Sequence, residues 1–169
     1  DHRGMLGGTL EEIARQKAGI IKNECYVICG RQDPRALEII KTVCGEQGAE
    51  LRQTDEAKEV RWGMERQYFS YRDCRRLVIS LAGRYQIENA VLAVETIRAL
   101  GEQGFPVSEA MLRKGLLETR WPGRFAVLAK RPYFIIDGAH NPEGAQKLRE
   151  SVIFYFTNKK IITIMGVMK

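Results

Sequence analysis

The sequence predicts an α/β fold, in which helices alternate with buried strands. Three observations lead there: a helix, strand, helix order from Thr9 to about Gly48, an apolar strand Tyr133 to Ile136 that ends in a polar loop, and an apolar run Ile161 to Met165 beyond one more helix. A strand, helix, strand succession closes into a parallel sheet through a right-handed crossover, and chemistry in such sheets sits where strands end at their carboxyl edges. The loop Asp137-Gly138-Ala139-His140-Asn141-Pro142 is therefore the first candidate site.

Thr9 and Glu12 form a capping box, and Leu10, Ile13, Ala14 and Lys17 recur at helical spacing, so a helix runs from Thr9 to Ile21. This spacing puts Lys17 on the apolar face. There its ammonium either snorkels to water or is desolvated, and desolvation favours a neutral amine that is nucleophilic and can take up carbon dioxide as a carbamate. Tyr26 to Cys29 reads as a buried strand, and Asp33-Pro34 opens a helix ending near Gly45 or Gly48. From Leu51 to Leu81 short strand-like runs predict a small β-rich portion, clearest at Gln67 to Tyr71 and Leu77 to Leu81, with Arg72-Asp73 as a turn.

Ile87, Ala90, Val91, Val94 and Ile97 mark an amphipathic helix over Ile87 to Leu100. Asn89 lies in its first turn, off the apolar stripe, where it is exposed, caps the helix or faces a ligand at the amino end. Ser108 to Leu117 is a further helix with Ser108 as its cap. The break at Trp121-Pro122-Gly123 predicts a domain boundary, dividing the chain into 1–123 and 124–169. Phe125 to Leu128, the Arg131-Pro132 turn and Tyr133 to Ile136 then precede a helix from Pro142 to Phe156, with Asn141 as its N-cap, and a strand from Ile161 to Met165.

The 169 residues are 44% hydrophobic, enough for a real core, which excludes disorder. Lys and Arg total 27 against 21 Asp and Glu, for a net +6, but the charges are interspersed. Even the loose group Arg72, Arg75, Arg76 and Arg84 reads as a solvated face, so no nucleic-acid partner is expected. The rival reading, a basic nucleic-acid module, predicts strongly salt-dependent binding. Cys25, Cys29, Cys44 and Cys74 show no CxxC pair and read as small buried hydrophobes of a reducing, cytoplasmic compartment. No apolar run approaches membrane-spanning length, and no membrane partner is expected. The start without methionine and the stop just after a strand suggest an internal fragment. Within the loop, Asp137 and Asn141 either satisfy turn amides or belong to a site, and a metal-dependent hydrolase using Asp137 and His140 is one alternative.

Three groups of residues agree on one resemblance. Asp1-His2-Arg3-Gly4-Met5-Leu6-Gly7-Gly8-Thr9, with Glu12-Ile13-Ala14 and Lys17-Ala18-Gly19-Ile20-Ile21-Lys22, stands at the amino end. Tyr85-Gln86-Ile87-Glu88-Asn89-Ala90 lies in the middle; Trp121-Pro122-Gly123-Arg124-Phe125 and Asp137-Gly138-Ala139-His140-Asn141-Pro142 follow. In this order they resemble the folylpolyglutamate synthase and dihydrofolate synthase family of the Mur ligase superfamily. The resemblance implies the end of a Mur-ligase-type central ATPase domain over 1–123 and the start of a Rossmann-like carboxy-terminal domain over 124–169. It also implies an ATP-dependent amide ligase that adds L-glutamate to reduced folate through an acyl phosphate, monomeric when intact.

Carried over by position, the resemblance implies that His2 is a magnesium ligand and that Lys17 is a carbamylated lysine helping to hold a second Mg2+. It implies ATP contacts from Asn89 on the adenine side, Arg124 at the phosphates and Asp137 from the second domain, with His140 beside Asp137 as a catalytic residue together with Lys17. Tyr85 stands where the family more often has histidine, and Gly8 where it has a polar or acidic residue. No G-x-x-x-x-G-K-[ST] phosphate loop occurs in the chain, so its place is expected upstream of Asp1 and the fragment alone is expected to be inactive. A bifunctional enzyme that also makes dihydrofolate is the alternative within the family.

Overall fold

The computed structural model describes residues 8–166, so His2 and the motif around it lie outside the described residues. These residues gather into two compact units: the chain up to Glu56 with Val91–Ser108, and Ala57–Ala90 with the chain from Glu109 on. The boundary expected at 123/124 falls inside the second unit.

In the first unit, α1 (Leu10–Ala18) starts at the expected capping box. Thr9 Oγ1 accepts the Glu12 amide at 3.2 Å, while the Glu12 carboxylate accepts the amides of Gly8 and Thr9. Strand β1 (Tyr26–Cys29) leads into α2 (Pro34–Glu46), which opens with Asp33 accepting from the Arg35 amide at 2.9 Å and with proline in its first turn. The helix returns the chain so that β2 (Glu50–Gln53) pairs parallel with β1, Tyr26 opposite Glu50 and Cys29 opposite Gln53. Glu50–Gln53 thus joins this βαβ unit rather than the β-rich portion assigned to it by composition. Ala18, Ile21 and Cys44 form its core, with Cys25, Val27, Ile40, Val43, Ala49 and Leu51 packed against them. All four cysteines of the chain are unbridged, and Cys29, Cys44 and Cys74 are buried, as small hydrophobes should be.

In the second unit, β3 (Lys58–Arg61), β4 (Gln67–Tyr71) and β5 (Cys74–Ile79) form an antiparallel meander, with the β4–β5 turn at Arg72-Asp73 as expected. Phe69, Tyr71, Leu77 and Ile79 bury one side of it. The helix α3 (Gln86–Glu102) starts here and continues into the first unit, burying Ile87, Ala90, Val91 and Val94 of its predicted stripe. Against β5 lies α4 (Glu109–Glu118), held by buried Leu112 and Leu116 and by Arg113 donating to the carbonyls of Arg75 and Arg76. Then come β6 (Ala126–Lys130), β7 (Tyr133–Ile136) and α5 (Pro142–Tyr155).

Two expectations are corrected in this last stretch. Strand β7 is not a buried parallel strand: it pairs antiparallel with β6 across Arg131-Pro132, and Tyr133, Phe134 and Ile136 are exposed. A two-residue turn brings the chain straight back on itself, which forces antiparallel pairing. Nor is Ile161–Met165 a strand among the described residues; it pairs with nothing there, and Ile162 and Ile164 are 83% and 91% exposed. β-Branched composition gives a segment strand propensity, but only a partner for its N–H and C=O groups makes it a strand. No described helix is long and apolar enough to cross a membrane.

Candidate functional site

The loop that follows β7 is organised by one carboxylate. Asp137 Oδ2 accepts the Phe125 amide at 2.7 Å and the Tyr85 phenol at 3.1 Å, while Oδ1 accepts the Ala139 amide at 2.8 Å. Three donors on one carboxylate fix its rotamer and the turn around it. Phe125, 1% exposed, adopts φ of +45°, a strained conformation for a bulky residue that its bond to Asp137 helps to hold.

Arg124 joins the same cluster. Its Nη1 donates to the Gly138 carbonyl at 3.2 Å, and the Gly138 amide donates to the Gly123 carbonyl at 2.7 Å. Gly123 sits at φ of +77°, which explains glycine at that turn. His140 Nδ1 lies 2.9 Å from the Gly138 carbonyl. A carbonyl can only accept, so Nδ1 carries the proton of this contact, and in the neutral tautomer that leaves Nε2 of the exposed ring with its lone pair. Asn141 caps α5, its Oδ1 accepting the Gly144 amide at 2.6 Å; a Cβ on Gly144 would come within 2.8 Å of that oxygen.

Asn89 is exposed on the first turn of α3, off the buried stripe, and donates to Gln86 Oε1 at 2.9 Å. Its amide also bonds the Tyr85 carbonyl at 3.3 Å, so the residue whose phenol reaches Asp137 also begins the helix that bears Asn89. In the sequence Tyr85 stands out only as a departure from histidine. The phenol is pushed well above its ordinary pKa by burial, then by the Asp137 charge beside it, so it stays protonated and donates. Next to it, the Arg84 guanidinium lies over Trp62 and Phe154, with centroids at 4.7 and 4.9 Å, and the Arg84 amide donates to the buried Ser151 hydroxyl.

Arg124, Asp137 and His140 thus share one hydrogen-bonded loop cluster, which Tyr85 ties to the turn carrying Asn89. Lys17 belongs to the other unit. It is exposed in the last turn of α1, and the apolar setting expected for it is not there. By helical spacing position 17 falls within the arc of the buried Ile13, Ala14 and Ala18, but it lies in the last turn, where its side chain is left exposed. Among the described residues no three His, Cys, Asp or Glu side chains gather as metal ligands. Three of the roughly four acceptor positions of the Asp137 carboxylate are already taken by protein donors, so the geometry does not favour a hydrolytic metal at Asp137 and His140.

No protein-family model matches the chain. It is 31% identical over 180 residues to a dihydrofolate synthase/folylpolyglutamate synthase of Bacillus subtilis, covering 100% of this chain and 41% of that protein. It is 32% identical over 179 residues to a folylpolyglutamate synthase of Lacticaseibacillus casei, covering 99% of this chain and 41% of that one. Among solved structures, a folylpolyglutamate synthase complex with AMPPCP and folate superposes with a TM-score of 0.88 at 30% identity, over 94% of this chain and 40% of that one. The chain spans about two fifths of the length of the curated relatives it matches. The resemblance carried by the motifs therefore extends over the whole chain, and its mixed α/β fold matches part of a Mur-ligase-type fold, as expected.

Proposed function

We propose that this chain is part of an ATP-dependent amide ligase of the folylpolyglutamate and dihydrofolate synthase family, one that joins L-glutamate to the γ-carboxyl of a reduced folate. The observation that carries this reading is the Asp137 loop: it gathers three of the family's motif residues, Arg124, Asp137 and His140, and Tyr85 links them to the helix bearing Asn89. Likeness along the length of this chain to about two fifths of the length of relatives with these names supports it.

In the proposed reaction a folate carboxylate oxygen attacks the γ-phosphorus of ATP and ADP leaves, giving an acyl phosphate. The amine of glutamate then attacks the acyl carbon, and phosphate departs as the amide forms. Charge on the transferring phosphoryl group must be neutralised, and the planar fork of Arg124 offers paired N–H donors for that work. The amine must lose a proton before or as it attacks, and the open Nε2 of His140 is suited to accept it. Asn89 and Asp137 are assigned to the nucleotide, Asn89 on its adenine side.

Magnesium, when bound, would screen the triphosphate; His2 is its proposed ligand, and the described residues assemble no ligand set through which a step can be drawn. Lys17, exposed in the last turn of α1, is the proposed position of a carbamate in the intact enzyme. The boundary at 123/124 is proposed as the domain border of the whole protein. We propose further that the protein works as a cytoplasmic monomer without nucleic-acid or membrane partners, in keeping with its interspersed charge and with cysteines that form no disulfide.

A second reading has support of its own, since the Bacillus subtilis relative carries both the dihydrofolate and the folylpolyglutamate synthase names. One assay addresses both. Phosphate release by the protein of the complete reading frame is expected to require ATP, reduced folate and glutamate together, and dihydropteroate in place of folate reports the bifunctional form. Arg124→Ala is expected to lower kcat by about a hundredfold, as for loss of a charge-stabilising donor. ATP turnover indifferent to folate and glutamate would overturn the ligase assignment.

A further inference from the structure

We infer that Tyr85 is a positioning residue for the nucleotide, its phenol holding the Asp137 carboxylate in register with the turn that bears Asn89. The inference rests on the ligase reading above, which assigns Asn89 and Asp137 to ATP, and it adds the group that couples them.

The bonds to Asp137 do different things. The amides of Phe125 and Ala139 come from β6's entry and from the loop itself, so these two bonds shape the loop. The phenol comes from a different element, and it alone among these three donors ties the loop to α3. Asn89 follows Tyr85 by one helical turn and bonds its carbonyl, so displacement of Tyr85 moves the carrier of Asn89 as well.

The phenol is also rigidly carried. A Cβ on Gly83 would lie 3.0 Å from the Tyr85 ring, so the ring packs directly on that glycine, which sits at φ of +94°. The Gly83 carbonyl accepts from Gln67 Nε2 at 2.9 Å and from the Gln86 amide at 3.1 Å, and Gln67 is fully buried in β4. A fixed backbone and a packed ring mean that little rotamer freedom is lost when the bond forms. Such a contact positions Asp137 without touching the reacting atoms.

Removal of the hydroxyl should leave the loop folded and free it relative to α3. The test uses the protein of the complete reading frame in three forms: unaltered, Tyr85→Phe, and Tyr85→His, whose shorter side chain cannot carry its ring N–H out to Asp137 from the same backbone. Tyr85→Phe is expected to raise KM for ATP about tenfold, the fold-change for one lost bond to a charged acceptor, with kcat within about twofold. Tyr85→His is expected to show the same rise in KM as Tyr85→Phe. Hydrogen exchange gives a readout apart from turnover: AMPPCP should protect residues 137–141 in the unaltered protein and markedly less in Tyr85→Phe. An unaltered protein without folate- and glutamate-dependent turnover overturns the ligase reading and this inference with it. An active protein whose Tyr85→Phe variant keeps its KM for ATP, or loses kcat and thermal stability together without a change in KM, overturns this inference alone.

Discussion

Both oxygens of Asp137 are engaged by donors, which makes the side chain the organiser of its loop as well as a proposed contact for the nucleotide. Asp137→Asn separates these roles. An amide has one acceptor end and one donor end, and in either orientation its NH2 faces a backbone N–H, from Phe125 or from Ala139. The expected cost is about 1–3 kcal/mol, the penalty for leaving a donor unmatched, read as a lower denaturant midpoint with unchanged slope. Much of this chemistry is legible residue by residue. Thr9 with Glu12 and Asn141 with Gly144 are local pairs, and local pairs can be read from spacing. The Tyr85 to Asp137 bond spans 52 positions, and no periodicity announces it. Lys17 shows the opposite failure: helical spacing puts it within the arc of the apolar stripe, but whether a position in the last turn is covered depends on what packs there.

Elements are legible where their own side chains decide them and less so where a partner decides. The helices follow their stripes and caps, whereas β2, β7 and 161–165 depend on pairing that composition does not specify. The first unit offers a test of how a strand and a helix end are joined. Arg52 of β2 donates through both terminal nitrogens to the Glu102 carboxylate of α3, at 2.9 and 2.5 Å, and its guanidinium lies over the Tyr26 ring of β1. These bonds hold the Glu102 carboxyl below its ordinary value of 4.5. A carboxylate depressed in the folded state binds fewer protons there than in the unfolded chain, so stability rises with pH through this window. The contribution is therefore complete above the ordinary glutamate value and is lost as pH falls through the lowered one. Glu102→Gln is expected to flatten the acid limb of a thermal midpoint against pH profile and leave the alkaline limb unchanged. High salt should shrink the difference, because the pair is solvent-exposed at Glu102. An acid limb identical in both proteins would count against this ion pair.

At the scale of the whole molecule, similarity over all 169 residues is joined to a share of only two fifths of the relatives' length. Family resemblance and activity therefore come apart. The first needs only the order and separation of motifs, which this chain carries from end to end; the second needs every group that stabilises the transferring phosphoryl charge in one place. A phosphate loop supplies several backbone N–H donors and a lysine to that charge, and no such motif occurs among these residues. Loss of even one preorganised donor of this type costs about a hundredfold to a thousandfold in rate, and losing the set compounds that loss. The 169-residue polypeptide, expressed by itself, is accordingly expected to release phosphate from ATP at the background rate whether or not reduced folate and glutamate are present. The protein of the complete reading frame, assayed beside it, is expected to depend on both. Turnover by the 169-residue polypeptide that requires folate and glutamate would show that Arg124, Asn89 and the Asp137 loop suffice for phosphoryl transfer, and would refute this division of labour.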